Sequence, residues 1–331
     1  MKKLHTMLSP IIGLFILVVM AGCGTETPSS GEGSGSPEKF LVIFSQCNNA
    51  EPYRAAQNAL LTNLAAEHDD IELVIKDGQQ DNSKQIAQIE TAIRQKPDLL
   101  IVAPNESAPL TKVMGKAMEA GIPTICLERD IKEPNYNSYI KCDNYAIGKM
   151  AGEYIVEQLK ARNGAPKGKI VELRGLLGIQ AETDRYQGAH DVWDQHPEIE
   201  VIHESVASWI QSEGRSRMTE MLNAHEQIDV VYGHNDPMAI GAYLAAKEKG
   251  REGEMIFVGI DGLGGDAGGI KKVMDGVLAA TFYYPLGVDK AMNIVELVKN
   301  GQLDQLQETY MMESAIITPE NAEAMYKKYT F

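Results

Sequence analysis

Positive charge is scarce in this chain: 31 Lys and Arg stand against 46 Asp and Glu, a formal net charge of -15. A nucleic-acid binder needs a basic face to meet phosphates, so that partner class is excluded. The acidic excess otherwise speaks to solubility. Cysteine is scarce too, four among 331 residues. With Cys23 set aside, Cys47, Cys126 and Cys142 remain, an odd number with no CxxC or His-rich spacing. That pattern is neither a disulfide framework nor a metal site, and no metal is expected. Each of the three sits near the end of an apolar run and reads as a buried free thiol, with a Cys126–Cys142 bridge left open. The seven histidines are scattered. No nucleophile–base pair or cofactor motif stands out, so the chain does not read as an enzyme and no cofactor is expected.

The longest apolar run, Leu8–Met20, is broken by Ser9, Pro10 and Gly13 and falls short of the roughly 20 residues a membrane-spanning helix needs. It follows Lys2 and Lys3 and ends in Met20-Ala21-Gly22-Cys23. This stretch resembles a bacterial lipobox, with Met20 where Leu is usual. The resemblance implies a signal peptide over residues 1–22 and a diacylglyceryl group on Cys23. Gly24 to Pro37 is a Gly/Ser/Pro/Thr/Glu stretch that cannot pack a core, so residues 23–38 read as a flexible tether. The expected location is extracytoplasmic, with the chain held at a membrane through its lipid.

Beyond the tether, short β-branched runs alternate with longer amphipathic ones. Strands are predicted at 40–44, 71–75, 98–103, 123–127 and 139–141, separated by helices at 53–68, 83–95 and 107–120. The pattern then restarts: helices at 146–162, 184–196, 212–224 and 238–249 separate strands at 169–173, 201–205, 230–233 and 255–260. Such alternation implies parallel βαβ units with right-handed crossovers. The fold class is therefore α/β: two doubly wound, Rossmann-like parallel-sheet domains of flavodoxin-type order, consistent with the length. A further strand at 278–283, a helix at 289–300, an extended piece at 310–317 and a terminal helix at 320–329 imply that the chain returns to the first domain. The expected division is 39–143 with 286–311, and 144–285 with 312–331, joined by a multi-segment hinge that bends around a ligand in the interdomain cleft.

Ligands of open parallel sheets lie beyond the carboxyl ends of the strands. The segments that follow the predicted strands hold Asn49, Tyr53 and Arg54; Glu128 and Arg129; Asp143; Arg185; Trp209; Asn235; Asp261; and Tyr284. Amides, carboxylates and guanidinium forks suit adjacent hydroxyls, and aromatic faces suit the C–H surface of a sugar. Taken singly, each Asn or Asp reads equally well as a helix cap or turn former. Their recurrence at nearly every strand end of both halves favours a polyol cleft.

Several of these segments carry recognisable motifs. Asn235-Asp236-Pro237-Met238-Ala239-Ile240-Gly241-Ala242 and Val258-Gly259-Ile260-Asp261-Gly262 resemble the NDxMAxGA and VGxDG signatures of type I periplasmic binding proteins, the ribose-binding-like sugar family. Leu127-Glu128-Arg129 is similar to its LDR, and Lys141–Gly148 to its SDNxxxG crossover. Glu172–Gly175 followed by Arg185–Gly188 is similar to ELxG…RxxG. The likeness runs in order from residue 40 to about 317. It implies the receptor of an ABC importer, a monomer that closes on a monosaccharide or related polyol and delivers it to a permease subunit. It puts ligand contacts at Asn49, Glu128, Arg129, Arg185, Asn235, Asp261 and Tyr284. The chain departs from the ribose-type pattern at Glu51-Pro52-Tyr53-Arg54, where paired Phe is usual, at Glu128 for Asp, and at Tyr284 for Gln. The Ser-Gln…Arg opening is closer to relatives that bind galactofuranose or other hexoses.

The glycine-rich Gly262–Gly269 lacks a Walker lysine and G-x-G-x-x-G spacing, and reads as a loop at the cleft rim. Asp77–Asn82 lacks the closing Glu of an EF-hand and reads as a turn capping the next helix. A transcription regulator built on the same core would need an N-terminal helix-turn-helix, and the lipobox and tether occupy that place. A receptor for a chemosensor or histidine kinase uses the same cleft and is the alternative. The lipobox reading has a direct test: Cys23→Ala leaves the protein released or unprocessed in cells. Equal membrane retention with normal cleavage overturns it.

Overall fold

The computed structural model describes residues 38–330; the segment 1–22, Cys23 and the tether through residue 37 lie outside them. The first half runs β1 (Phe40–Gln46), α1 (Pro52–Ala66), β2 (Ile71–Asp77), α2 (Asn82–Gln95), β3 (Leu99–Val102), α3 (Ser107–Glu119), β4 (Thr124–Leu127) and β5 (Ser138–Cys142). The second runs α4 (Asn144–Asn163), β6 (Gly168–Arg174), α5 (Gln180–Trp193), β7 (Ile199–Val206), α6 (Gln211–Ala224), β8 (Val230–Gly233), α7 (Asp236–Glu248), β9 (Ile256–Val258), α8 (Gly269–Met274) and β10 (Thr281–Phe282). It closes with α9 (Val288–Lys299), β11 (Thr309–Met312), β12 (Ile316–Ile317) and α10 (Ala322–Tyr329).

Two parallel sheets result, ordered β11-β5-β4-β3-β1-β2 and β7-β6-β8-β9. Helices cover both faces, so strands such as Leu99-Leu100-Ile101-Val102 are buried throughout and read as continuous apolar runs without alternation. In each sheet the first strand lies inside the second, which places a switch in strand order beside β1 and beside β6. Crevices at such points, at the carboxyl ends of the strands, are where α/β sheets bind ligands.

The final quarter departs from expectation in one respect. The piece read as continuous over 310–317 is two strands serving different partners. β11 pairs with β5 at the edge of the first sheet, and β12 pairs antiparallel with β10. Exposed Glu313 lies between them, where the chain leaves one sheet edge for another. A short helix, α8, also follows the glycine-rich loop, which sequence pattern alone read as loop through Gly269. The returning segment is gripped by α1: Tyr53 Oη donates to the Pro285 carbonyl at 2.7 Å and Gln57 Nε2 to the Leu286 carbonyl at 2.8 Å.

Helices α4 and α5 approach so closely that their backbones touch. A Cβ on Gly148 would lie 2.3 Å from the Arg185 carbonyl oxygen, and one on Gly188 would lie 2.2 Å from that of Tyr145. These are the glycines of the two motifs that also contain Asn144 and Arg185, so the absence of a side chain at each lets the polar pair meet. Gly188→Ala gains helix propensity of up to about 1 kcal/mol but must force the helices apart, an overpacking cost of about 1–3 kcal/mol. The expected outcome is a melting temperature lowered by a few degrees in a thermal scan. An unchanged or raised value shows that the contact relaxes freely.

Candidate functional site

Beyond the strand ends, one narrow cavity is lined by Glu51, Tyr53, Arg54, Glu128, Arg129, Ala181, Arg185, Trp209, Asn235, Asp261 and Tyr284. The structure thus gathers every sequence-predicted site residue except Asn49 and Asp143. Asn49 is exposed, and its side-chain oxygen accepts from Asn58 Nδ2 at 2.6 Å; the turn after β1 points Asn48 inward instead. Asp143 is also exposed and serves as the N-cap of α4, accepting from the Ala146 amide at 2.9 Å. Its neighbour Asn144, one position along the helix, is the buried residue. For Asp143 the cap reading therefore holds.

Glu51, Ala181 and Asn144 escaped the sequence reading. Glu51 entered only as part of the departure from the ribose-type pattern and not as a ligand contact, yet it is 4% exposed and lines the cavity. Its Oε1 accepts from Asn48 Nδ2 at 2.6 Å and lies 3.4 Å from Arg129 Nη2. Arg54 Nη2 donates to Glu128 Oε2 at 2.6 Å, and Arg129 Nε lies 3.7 Å from the same oxygen. Glu51, Arg54, Glu128 and Arg129 thereby form a buried network of alternating charge. Burial pushes the Glu128 carboxyl up, but Arg54 and then Arg129 outweigh it and hold the group below the usual carboxylate range.

A chain of hydrogen bonds connects that network to the second half. Tyr284 Oη donates to Glu128 Oε1 at 3.0 Å and accepts from Asn144 Nδ2 at 3.2 Å. Arg185 Nε donates to Asn144 Oδ1 at 2.9 Å, and its Nη1 to the His234 carbonyl. The Arg185 guanidinium sits over two aromatic rings, 4.5 Å from the centre of Tyr284 and 5.5 Å from that of Trp209. Asn235 is engaged at both ends of its amide: its Oδ1 caps α7 through the Met238 amide at 3.0 Å and its Nδ2 donates to the Trp209 carbonyl at 3.0 Å. It shapes the wall by holding the tryptophan loop.

Backbone strain concentrates here. Glu128, Ser208, Trp209 and Asp261 adopt φ values of 68°, 50°, 72° and 140°. Non-glycine residues in such conformations cost on the order of 1–3 kcal/mol each and cluster at functional sites. Three buried polar atoms of the lining have no hydrogen-bond partner: Arg54 Nε, which lies 3.8 Å from Glu51 Oε2, Trp209 Nε1 and Asp261 Oδ2. Outside the cavity, Leu263–Gly268 face Pro52, Ala56 and Leu60 across a groove, in keeping with a rim loop. Asp81 caps α2 through the Lys84 amide at 3.0 Å, as the turn reading required.

Trp209 has room only because residue 175 lacks a side chain: a Cβ there would lie 2.1 Å from the indole ring. Gly175→Ala should displace the ring, alter tryptophan fluorescence and weaken ligand binding roughly tenfold, about 1.4 kcal/mol, with the fold retained. Unaltered affinity with a shifted indole removes Trp209 from the binding wall.

Comparison with known proteins places this geometry. The family model "Periplasmic binding protein domain" matches residues 42–305. The galactofuranose-binding protein of Escherichia coli (strain K12) is 34% identical over 235 residues, covering 68% of this chain and 71% of that protein. The ribose import binding protein of Bacillus subtilis (strain 168) is 27% identical over 267 residues, covering 80% and 83%. Among solved structures, the fructose binding periplasmic domain of a hybrid two component system superposes with a TM-score of 0.81 at 37% identity, covering 87% of this chain and 94% of that one. With the signatures quoted above, two doubly wound sheets and a polar cavity at their strand ends, the chain belongs to the periplasmic binding proteins of type I fold.

Proposed function

We propose that this chain is an extracytoplasmic solute-binding receptor that captures a neutral monosaccharide or related polyol by closure of two lobes and delivers it to an ABC-transporter permease. The lobes are residues 39–143 with 286–311 and residues 144–285 with 312–331, and the lipid on Cys23 holds the receptor at the membrane. The site works as a monomer and uses no cofactor or metal, and it binds without catalysing a reaction.

The unpartnered atoms carry this reading. Arg54 Nε and Trp209 Nε1 are donors awaiting an acceptor, and Asp261 Oδ2 awaits a partner of its own. Buried polar groups without partners cost about 1–3 kcal/mol each, and one hydroxylated molecule can satisfy all three. Arg54 and Arg129 are already paired with Glu128 and Glu51. A charged ligand would bring charge that this network does not offset. Glu128 and Tyr284 belong to different lobes and bond each other directly, so the contact and any ligand beside it favour the closed state.

A sensing receptor is the second reading. It is favoured by the 37% identity to a domain of a two component system. Co-purification with a permease under mild detergent supports transport, and co-purification with a histidine kinase supports sensing.

Ligand that binds only the folded state raises stability by about 2.7 kcal/mol at a hundredfold excess over Kd. In a thermal-shift panel of D-fructose, D-galactose, D-ribose, L-arabinose, myo-inositol, amino acids and nucleosides, a sugar or inositol should raise Tm. A response confined to amino acids or nucleosides overturns the polyol reading. Arg185→Ala removes a charged donor from the wall and should weaken binding by roughly tenfold to a thousandfold in calorimetry. Unchanged affinity in that variant removes Arg185 from the site.

A further inference from the structure

The cavity's buried charges do not cancel. Arg54, Arg129 and Arg185, each no more than 3% exposed, stand against Glu51, Glu128 and Asp261 of the lining and Asp236 beside it, each no more than 4% exposed. Three cations against four carboxylates leave one negative charge that the interior must solvate. No spare cation lies in the adjoining cluster. There Glu172 accepts from His190 Nε2 at 2.8 Å and from His234 Nε2 at 2.7 Å, and Glu182 accepts from Arg174 Nε at 2.7 Å. Burial lowers the His190 pKa, but its hydrogen bond to Glu172 more than reverses this, and Arg174 is engaged by Glu182 and Glu204.

The imbalance falls on the two aspartates. Glu51 and Glu128 have guanidinium partners at 3.4 Å and 2.6 Å, whereas neither Asp236 nor Asp261 forms an ion pair among the described residues. Asp236 is buried where α7 begins, after β8, and its carboxylate reaches the backbone that follows β9. Its Oδ2 accepts from the Gly262 amide at 2.8 Å and its Oδ1 from Thr281 Oγ1 at 2.6 Å. Gly259 and Gly269 wall it in: a Cβ on either would lie 2.3 Å or 1.8 Å from its oxygens, which leaves no room there for a counter-ion. With donors on both oxygens, Asp236 is the carboxylate held ionised. Asp261, at a strained φ of 140° beside Gly262, keeps a buried Oδ2 with no partner.

We propose that Asp236 and Asp261 share one proton at neutral pH and that it resides on Asp261, which meets the ligand as an uncharged carboxyl able to donate a hydrogen bond as well as accept one. The second clause rests on the polyol reading; the first does not. Burial raises both groups, Asp236 to about 6 and Asp261 well above the usual carboxylate range, with the Asp236 charge adding to the effect on Asp261. The groups that face Asp261 are Asp236 at the start of α7, Arg185 from α5 and Glu51 and Arg54 from the start of α1; only the two arginines oppose protonation. For a carboxyl whose folded pKa is raised, the associated stability is fully present below the unfolded pKa and is lost as pH rises through the folded one. A ligand that accepts a hydrogen bond from the protonated Asp261 raises its pKa further, so by the same linkage affinity should fall toward alkaline pH.

The test has two arms. In calorimetry with the tightest-binding sugar of the panel above, wild-type affinity should fall at least threefold between about pH 6 and pH 9. Asp261→Asn, which keeps a donor and an acceptor, should bind within roughly threefold of wild type at neutral pH without that dependence, and Asp261→Ala should lose tenfold or more. If Asn is as damaging as Ala and wild-type affinity is flat or rises with pH, Asp261 acts as an ionised acceptor and the proposal fails. The second arm is infrared spectroscopy of the ligand-free protein, which needs no sugar. A protonated-carboxyl C=O band should be present in wild type at neutral pH and missing from Asp261→Asn. Its absence from wild type overturns the shared proton, whatever the panel shows.

Discussion

Guanidinium and carboxylate groups cannot be taken out of water singly; each must be met by an opposite charge or by hydrogen bonds of good geometry. Burying Glu51, Arg54, Glu128 and Arg129 together therefore fixes much else. Arg54 must come from the first turn of α1, and Glu128 must turn back from the end of β4 at a positive φ to reach it. Tyr284 must reach in from the segment after β10 to complete the coordination of Glu128. Breaking any member leaves an uncompensated buried charge, so the network sets the relative position of three chain segments far apart in sequence.

The second half of the chain answers with a different device. Arg185 has no carboxylate within ion-pair distance; two aromatic faces, a side-chain amide and a backbone carbonyl hold it. An arginine so placed keeps its charge with less of its hydrogen-bonding fork committed to a counter-ion. Its position depends on the backbone contact between α4 and α5, which only glycine at 148 and 188 permits. Packing and recognition are thus one constraint: the residues that let the helices touch are the ones that bring Asn144 to Arg185.

Much of this was legible in the sequence, for identifiable reasons. Strands flanked by helices on both faces are apolar throughout, so β1, β3, β4 and β8 stand out as short β-branched runs. Sites of open sheets lie after strand ends, and reading those segments found Arg54, Glu128, Arg129, Arg185, Trp209, Asp261 and Tyr284. The errors were local. Asn48 against Asn49 and Asn144 against Asp143 are one-residue choices between neighbours of equal polarity. A turn or the first step of a helix decides which one faces inward, and no periodicity survives there to read. The division of residues 309–317 into two strands was likewise hidden, because an edge strand and an isolated two-residue pairing leave too short a pattern.

Composition and pattern by themselves determined the class of partner, the alternating architecture and the set of polar residue types brought to the strand ends. Those properties depend on burial and on hydrogen-bonding capacity, which each residue carries wherever it sits. Only the tertiary structure decided which charges neutralise one another, that Glu51 belongs inside, that Asn235 is spent on a cap and a loop, and that Asp261 is left with an oxygen to offer. Pairing is a relation between segments as distant as Arg54 and Glu128, or Glu128 and Tyr284. It falls off so steeply with separation that the fold must place both partners to within an ångström before either has a role.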